Sequence, residues 1–123
     1  MSIQIGDKIP ASTLNILKDG VQAVNTDEVF KGRKVVLFSV PGAFTPTCSA
    51  KHLPGYVEKL GEFKARGIDV ACMAVNDAFV MSAWGKQQNV PEELHMLADG
   101  NGAFADAMGL KFDASAFGMG NRA

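Results

Sequence analysis

Cysteine is scarce in this chain, since Cys48 and Cys72 are the only two among 123 residues. That number is too small for the disulfide framework of a small secreted domain. A lone reactive thiol suits a reducing compartment, so we expect a cytoplasmic protein. The sequence opens with no basic segment followed by an apolar stretch, and no apolar run approaches the roughly 20 residues of a membrane helix. We therefore expect neither a secretion signal nor a membrane partner.

Neither sign of charge dominates, because 12 Lys and Arg residues stand against 13 Asp and Glu residues and leave a net charge of -1. A surface without excess positive charge does not attract nucleic acid or an anionic membrane. Apolar residues make up 47% of the chain and charged residues 20%, which is typical of a globular domain. We find no internal repeat or linker and expect a single domain over residues 1–123.

The alternation of apolar and turn residues predicts an α/β fold. Two alternating stretches, 14–16 and 21–24, flank a turn at 18–20 and predict an N-terminal β-hairpin. Residues 26–28 are expected to cap a short helix. Residues 34–39 form a continuous apolar run of the kind buried on both faces of a mostly parallel sheet, so we expect a central strand there.

Later segments continue this alternation of helices and strands. A helix is predicted from Thr45 to about Arg66, and Pro54 should kink it because proline lacks the N–H that would bond to Ala50. Right-handed crossovers then give a mostly parallel central sheet flanked by helices. The remaining predicted elements are a strand over 69–75, a helix capped by Asn76 or Asp77, a strand over 94–97, a short helix over 102–108 and a small-residue tail over 114–123.

One loop carries the residues with the clearest chemistry. It follows the apolar strand and has the sequence VPGAFTPTC at 40–48, in which two prolines and a glycine fix the turns. Thr45 has the side chain of an N-cap and Pro46 suits the first helical position, which places Cys48 in the first turn. Unpaired N–H groups and the helix dipole favour a thiolate there. Thr45 lies three residues before Cys48, on the same helix face.

Other interpretations of these side chains are open. Cys48 could be a buried small hydrophobe with Thr45 as a simple cap, although a loop this rich in proline argues for a functional reason for its rigidity. His52, four residues after Cys48, could activate it as in a cysteine hydrolase, but no orienting third group or oxyanion site is apparent. Cys48, His52, Cys72 and His95 could supply zinc ligands, yet their spacing matches no compact motif, so we expect no metal.

The same loop and the residues after it resemble the active-site signature of a known family. VPGAFTPTC at 40–48, followed by KHLPG at 51–55, is similar to the signature of the peroxiredoxins, in particular of the type II or peroxiredoxin-5-like branch. The resemblance implies that Cys48 is the peroxidatic cysteine, that Thr45 orients thiolate and peroxide, and that Pro41 shields the pocket from water. The likeness extends along the chain and includes Ser39, VND at 75–77, FV at 79–80, WG at 84–85 and LADG at 97–100.

The resemblance also implies a thioredoxin-like fold, with the Cys48 loop where thioredoxins carry two cysteines. Thr45 replaces the first of those cysteines, so a dithiol–disulfide exchanger is disfavoured. The implied activity is reduction of hydrogen peroxide and organic hydroperoxides by a cysteine that becomes a sulfenic acid. Glutathione with glutaredoxin, or thioredoxin, would recycle that cysteine. The resemblance implies no cofactor, and because members of the family commonly pair, it implies a homodimer.

Cys72 is a candidate resolving cysteine for this reaction. Some type II peroxiredoxins use a cysteine near this position to resolve the sulfenic acid, and others leave that step to glutathione. Cys72 falls inside the predicted strand over 69–75, where a cysteine is most often an inert core residue.

The sequence departs from the family at its C-terminal end. Type II members continue beyond the region matched by 118–122 into a strand pair and a helix, so the resemblance predicts a C-terminally truncated fold. The family's catalytic arginine opens the first of those strands and has no counterpart here, and Arg122 is the nearest substitute. We therefore expect a weak peroxidase and an unpaired edge at strand 35–39. The alternative function is an inactive interaction module that pairs with a full-length partner through this edge.

Overall fold

The computed structural model describes residues 2–46 and 48–123, with the backbone alone for Cys48 and Ala50. In this part of the chain, strands and helices alternate after an N-terminal hairpin. The strands are β1 (Thr13–Leu17), β2 (Val21–Asn25), β3 (Lys34–Ser39), β4 (Ile68–Ala74), β5 (Leu94–Ala98), β6 (Phe112–Asp113) and β7 (Asn121–Arg122). The helices are α1 (Thr26–Phe30), α2 (Leu53–Ala65), α3 (Ala78–Gln87) and α4 (Ala103–Ala107), with a π-helical turn at Cys48–His52 and a 3₁₀ turn at Ser115–Phe117.

The central sheet of the described residues is mixed. Its strand order is β2-β1-β5-β4-β3. β3, β4 and β5 are parallel to one another, and β1 runs antiparallel to both β2 and β5. The predicted α/β class, the N-terminal hairpin and the parallel strands are confirmed.

The apolar run 34–39 predicted a central strand, which was wrong, whereas the unpaired edge that the family resemblance predicted at 35–39 is confirmed within the described residues. β3 pairs with β4 only, and it therefore forms an edge of the sheet within the described ranges. Its apolar residues face the two layers above and below the sheet: Phe38 packs in one core cluster, and Val35 and Leu37 pack against the other. A continuous apolar run shows that both faces of a strand are covered, and it carries no information about how many neighbours pair with it.

Two hydrophobic layers enclose the sheet. On one face, α2 and α3 cover β3 and β4 with buried residues that include Phe38, Leu53, Leu60, Val70, Cys72, Met81 and Trp84. On the other face, residues of α4 pack with β1, β4 and β5 through Leu14, Ala71, Met73, Leu97, Phe104 and Ala105. Because the sheet holds both layers, the C-terminal ends of β3 and β4 are fixed relative to α3. That edge of a parallel sheet is the usual place for a site in α/β proteins.

Of the two helix caps predicted from the sequence, one is confirmed and one was wrong. Asp77 caps α3, as predicted, by accepting a hydrogen bond from the Val80 N–H at 2.8 Å. For α1 the predicted cap at 26–28 was wrong, because the Asn25 side chain accepts from the Glu28 N–H at 2.9 Å. The Thr26 hydroxyl is engaged elsewhere, since it donates to the Pro10 carbonyl at 3.0 Å.

The long helix expected from Thr45 to Arg66 is split in the structure. A π-helical turn occupies Cys48–His52, and regular α-helix begins at Leu53 and ends at Ala65. Pro54 lies in the first turn of α2, a position where proline is tolerated. The helix type therefore changes just before Pro54, and the predicted kink itself stays a prediction. With 13 residues α2 is the longest helix described, and no described helix is long and apolar enough to cross a membrane.

The predicted tail over 114–123 contains a second, two-stranded sheet. β6 pairs antiparallel with β7, and the Ala114 N–H donates to the Gly120 carbonyl at 2.7 Å. Strands of two residues are too short to produce an apolar period, which is why the sequence pattern did not reveal them. This hairpin brings Arg122 back towards the ends of β3 and β4.

Candidate active site

The loop that leaves β3 runs along the end of β4. The Val40 N–H donates to the Met73 carbonyl at 3.1 Å, so the chain follows its neighbour beyond the last strand residue. Gly42 is buried, whereas Phe44 is 47% exposed and has a positive φ of 65°. A non-glycine residue in this left-handed region is strained unless its surroundings hold it, and such strain is most frequent at functional sites.

Asn76 holds the middle of this loop. Its side-chain oxygen accepts a hydrogen bond from the Ala43 N–H at 2.9 Å. Asn76 directly precedes Asp77, the cap of α3, so the same connection between β4 and α3 fixes both the helix and the loop. The sequence alone suggested Asn76 only as a possible helix cap, and no local pattern connects it with a residue 33 positions away.

Thr45 is half-buried, and its hydroxyl donates to the Gly42 carbonyl at 2.7 Å. A carbonyl can only accept, so this bond uses the single hydroxyl hydrogen and leaves the oxygen lone pairs for another donor. The Thr45 carbonyl accepts from the Ser49 N–H at 2.9 Å, which connects the loop to the π-helical turn. The expected pairing of Thr45 with the Cys48 sulfur stays a prediction, because the Cys48 side chain lies outside the described part of the chain.

Arg122 packs against the same loop. Its guanidinium donates to the carbonyls of Met119 at 2.9 Å and Val75 at 3.1 Å, and more weakly to Pro41 at 3.4 Å. A Cβ added to Gly42 would lie 3.1 Å from the Arg122 Nη1 atom, so the glycine makes room for the guanidinium. The structure therefore brings Arg122, Pro41 and Gly42 together. Pro41 is exposed at the surface of the loop, and its shielding role stays a prediction.

Trp84 reaches the π-helical turn from α3. Its side chain is fully buried in the core, and the indole N–H donates to the Ser49 hydroxyl at 3.0 Å. No local pattern indicates this hydrogen bond to the residue after Cys48, because the two partners are 35 positions apart.

His52 belongs to an aromatic cluster at the end of the π-helical turn. Its ring centroid lies 5.1 Å from that of Phe38 and 5.9 Å from that of Tyr56, and the Phe38 and Tyr56 rings stack at 4.0 Å. The His52 ring is half-buried and packs on these aromatic neighbours. These contacts orient the last residue of the turn.

Cys72 lies in the middle of β4 and is fully buried. Its neighbours in the sheet are Phe38 and Met96, in register on either side. Its thiol is therefore closed off from solvent. His95 lies in the adjacent strand β5, and within the described ranges no three His, Cys, Asp or Glu side chains form a metal-binding group.

The resolved pKa shifts concern carboxylates outside this loop. The Lys64 ammonium donates to Asp69 at 3.0 Å and holds the pKa of that carboxyl below its ordinary value of 3.8. Hydrogen bonds from the side chain and N–H of Ser115 lower the pKa of the Asp113 carboxyl. The Lys64–Asp69 pair joins α2 to β4, and the Asp113–Ser115 pair holds the 3₁₀ turn after β6.

The sheet order, the two covering layers and the rigid loop before Cys48 define an α/β protein of the thioredoxin-like class. Residues 4–123 match the family described as Redoxin. The chain is 51% identical over 116 residues to chloroplastic peroxiredoxin-2E and 43% identical over 123 residues to peroxiredoxin-2B, both of Arabidopsis thaliana. These matches cover 91% and 98% of this chain.

Solved structures agree with these matches. Reduced Prx3 of Vibrio vulnificus in complex with H₂O₂ is 50% identical, with a TM-score of 0.93 over 98% of this chain and 77% of the other. Peroxiredoxin 5 of Alvinella pompejana is 40% identical, with a TM-score of 0.88 over 98% of this chain and 78% of the other. The chain therefore belongs to the redoxin family and, within it, to the type II peroxiredoxins of the thioredoxin-like superfamily. It spans 50% of the peroxiredoxin-2E sequence and 76% of the peroxiredoxin-2B sequence.

Proposed function

We propose that this protein is a thiol peroxidase that reduces hydrogen peroxide and organic hydroperoxides through Cys48. The observation that carries the proposal is the fixed loop 41–46, which ends where the π-helical turn of Cys48 begins and holds the Thr45 hydroxyl in a defined orientation. Membership of the peroxiredoxin family supports the assignment, and one similar structure, that of Vibrio vulnificus Prx3, is described as a complex with H₂O₂.

The proposed reaction is a displacement at one peroxide oxygen. The Cys48 thiolate forms a sulfur–oxygen bond with that oxygen, and the oxygen–oxygen bond breaks. The sulfur is oxidised to a sulfenic acid, and the second oxygen leaves as hydroxide or alkoxide, which takes a proton and departs as water or an alcohol. Negative charge moves from sulfur to the leaving oxygen, so fixed hydrogen-bonding groups around the loop would lower the barrier.

We assign Thr45 the role of orienting the peroxide. Since its hydrogen is bonded to the Gly42 carbonyl, its oxygen is able to accept a hydrogen bond from the peroxide O–H. Such a bond would turn the peroxide so that one oxygen faces the sulfur. We assign Pro41 the shielding of this pocket, and the family resemblance supports that role.

Arg122 supports the site in a different way. Its Nε and Nη1 groups donate to the carbonyls of Met119, Val75 and Pro41, so much of its donor capacity is used in holding the loop to β4 and β7. We therefore propose that Arg122 positions the loop and does not stabilise the leaving oxygen. This assignment differs from the role expected by analogy with the family arginine.

An external thiol is the proposed reductant. Complete burial of Cys72 disfavours an internal disulfide and favours glutathione with glutaredoxin, or thioredoxin. The external thiol attacks the sulfenic sulfur and releases water, and a second thiol then reduces the mixed disulfide and restores Cys48. Mass spectrometry after peroxide and glutathione treatment decides this point. We expect a glutathione adduct on Cys48, and a Cys48–Cys72 disulfide would contradict the external route.

We further propose that the protein pairs as a homodimer and works in the cytoplasm. Phe44 in the loop and Phe79 in the first turn of α3 are 47% and 63% exposed, and large exposed apolar side chains often mark interfaces. The compartment proposal rests on the scarcity of cysteine. Cell fractionation tests it, because two relatives, peroxiredoxin-2E and peroxiredoxin-2E-2, carry the word chloroplastic in their names.

Stopped-flow consumption of hydrogen peroxide by the reduced protein tests the activity. Cys48→Ser should abolish the fast reaction, and Cys72→Ser should retain it per folded molecule. A wild-type rate no higher than that of free cysteine would contradict the peroxidase proposal. Under that result, an obligate dimer or larger species without peroxide consumption would favour the interaction module.

A further inference from the structure

The hydrogen bond between Trp84 and Ser49 connects the core to the turn that begins at Cys48. Trp84 is fully buried in α3, and its indole N–H, a donor only, is bonded to the Ser49 hydroxyl at 3.0 Å. An unpaired buried donor is costly, so the protein must provide an acceptor. That acceptor is the side chain of Ser49, the residue directly after Cys48.

The turn that receives this bond has an uncommon geometry. π-Helical turns are rare, occur mostly as single turns within α-helices, and are frequent at functional sites. In the described part of Cys48–His52, the Ser49 N–H is bonded to the Thr45 carbonyl at 2.9 Å and the His52 ring packs 5.1 Å from Phe38. The bond from Trp84 attaches the second residue of this turn to α3.

α3, which carries Trp84, is held in place by its N-cap and by its buried side chains. Asp77 caps its first turn, and Ala78 and Met81 are 4% and 1% exposed. Asn76, immediately before the cap, accepts from the Ala43 N–H at 2.9 Å. One segment, the β4–α3 connection with its helix, thus holds the loop before Thr45 and also the turn after Cys48.

We propose that Trp84 is a positioning residue of the peroxidase site, which acts through Ser49 to hold the π-helical turn in the geometry that keeps Cys48 reactive. This inference rests on the proposed function in naming the reaction, and the contact itself is independent of it. Backbone N–H groups at the beginning of a helix stabilise a thiolate only when they stay aligned with it. Loss of the indole donor lets Ser49 and the adjacent backbone relax, so the thiolate is less favoured.

The test compares Trp84→Phe, which removes the donor, with Ser49→Ala, which removes the acceptor, and with the double variant. The rate of Cys48 alkylation by iodoacetamide is measured from pH 5 to 10, and peptide mass spectrometry separates Cys48 from Cys72. We expect the midpoint of the pH profile to rise by about 0.5–1 unit in each single variant. The double variant should show about the same shift as either single variant, because both changes remove one shared bond.

Two controls on the same helix separate positioning from packing. Met81→Ala removes a buried side chain of α3 and should lower the urea midpoint of unfolding without moving the alkylation profile. Ser82→Ala removes a hydroxyl from α3 that takes no part in the bond between Trp84 and Ser49, so it should leave the alkylation profile unchanged. If Trp84→Phe proves too unstable to measure, Ser49→Ala carries the comparison, since Ser49 is only half-buried.

The outcomes separate this inference from the proposed function. Unchanged alkylation midpoints in Trp84→Phe and Ser49→Ala, with a stability loss like that of Met81→Ala, would show that Trp84 is a core residue and nothing more. A shifted midpoint in a protein whose wild type consumes no peroxide would support positioning and contradict the peroxidase. Fast peroxide consumption that is equal in wild type and both variants would support the peroxidase and contradict positioning.

Discussion

At the scale of single residues, the hydroxyl of Thr45 is the most informative group of the site. It donates to the Gly42 carbonyl at 2.7 Å, which decides the direction of its hydrogen. The sequence predicted Thr45 as a helix cap and as a neighbour of Cys48. The observed bond adds that the oxygen can act as an acceptor, which suits a peroxide O–H.

Replacement of Thr45 tests that role. We expect Thr45→Val to lower the rate constant for peroxide by about 10²–10³, the usual cost of removing one preorganised hydrogen-bonding group. Thr45→Ser keeps the hydroxyl and should retain most of the rate. Thr26→Val is the matched control, because the Thr26 hydroxyl also donates to a carbonyl, that of Pro10 at 3.0 Å, in another part of the fold. Equal rates for Thr45→Val and Thr26→Val would contradict the role.

At the scale of elements, one glycine in the loop and one in α2 differ in how closely other atoms pack around them. A Cβ on Gly42 would meet the Arg122 Nη1 atom at 3.1 Å and the Met119 Cε atom at 3.2 Å, whereas a Cβ on Gly61 in α2 would meet nothing within 4 Å. A side chain at position 42 would therefore force these packed neighbours to shift. The helix would gain from an alanine at position 61 because glycine is a poor helix former.

These two sites predict stability changes of opposite sign. We expect Gly42→Ala to lower the free energy of unfolding by about 1–3 kcal/mol, since the added methyl group must displace packed atoms. Gly61→Ala should raise it by about 0.5–1 kcal/mol through helix propensity. Urea denaturation followed by circular dichroism measures both. A neutral Gly42→Ala variant would show that Arg122 is not packed closely against the loop.

An ion pair between Lys64 and Asp69 joins α2 to β4, and its contribution to stability depends on pH. Lys64 at the end of α2 donates to Asp69 in β4 at 3.0 Å and lowers the pKa of the Asp69 carboxyl from its ordinary value of 3.8. A carboxyl with a depressed folded-state pKa contributes stability that is fully present above the unfolded-state pKa. That contribution begins to decline near the ordinary pKa of 3.8 and is lost as the pH falls further through the depressed folded-state pKa.

Asp69→Asn should therefore reduce stability at neutral pH and not in acid. The pair is partly exposed, with 28% for the Asp69 side chain and 41% for Lys64, so we expect a loss of only about 0.2–1 kcal/mol at pH 7. The difference from wild type should shrink in 1 M NaCl and vanish as the Asp69 carboxyl becomes protonated. Glu62→Gln is the comparison, because the Lys59–Glu62 pair is longer at 3.9 Å and more exposed. A difference that persists in acid would contradict the assignment.

At the scale of the whole molecule, exposed apolar residues near the loop support pairing of two copies. Phe79 is 63% exposed on α3, three residues after Asn76, which is bonded to the loop. Ile5 is also fully exposed, on the N-terminal arm whose Ile3 N–H donates to Met108 near α4. Phe79 and Ile5 are both large, apolar and exposed, and they lie in different parts of the fold.

A charge at either position distinguishes an interface from ordinary exposed surface. We expect Phe79→Glu to weaken the homodimer by about 2 kcal/mol, or roughly 30-fold in the dissociation constant, as for an interface anchor. Ile5→Glu should leave it unchanged. Sedimentation equilibrium of both variants measures the constants, and the same dimer strength in Phe79→Glu and wild type would exclude Phe79 from the interface.

The sequence by itself determined the hairpin, the parallel strands, a helix capped by Asn76 or Asp77, and the loop that leads to Cys48, because turn residues and apolar periods act over a few positions. It also identified the family, since the loop signature is contiguous. For β3 the sequence offered two positions, a central one from its apolar run and an unpaired edge from the family resemblance, and the tertiary structure decided for the edge within the described residues. Only the tertiary structure revealed the π-helical turn at Cys48–His52. It also decided which groups hold the loop, because Asn76, Trp84 and Arg122 reach partners 33, 35 and 81 positions away. Such bonds form between groups that the folded sheet brings together, and they leave no local pattern in the chain.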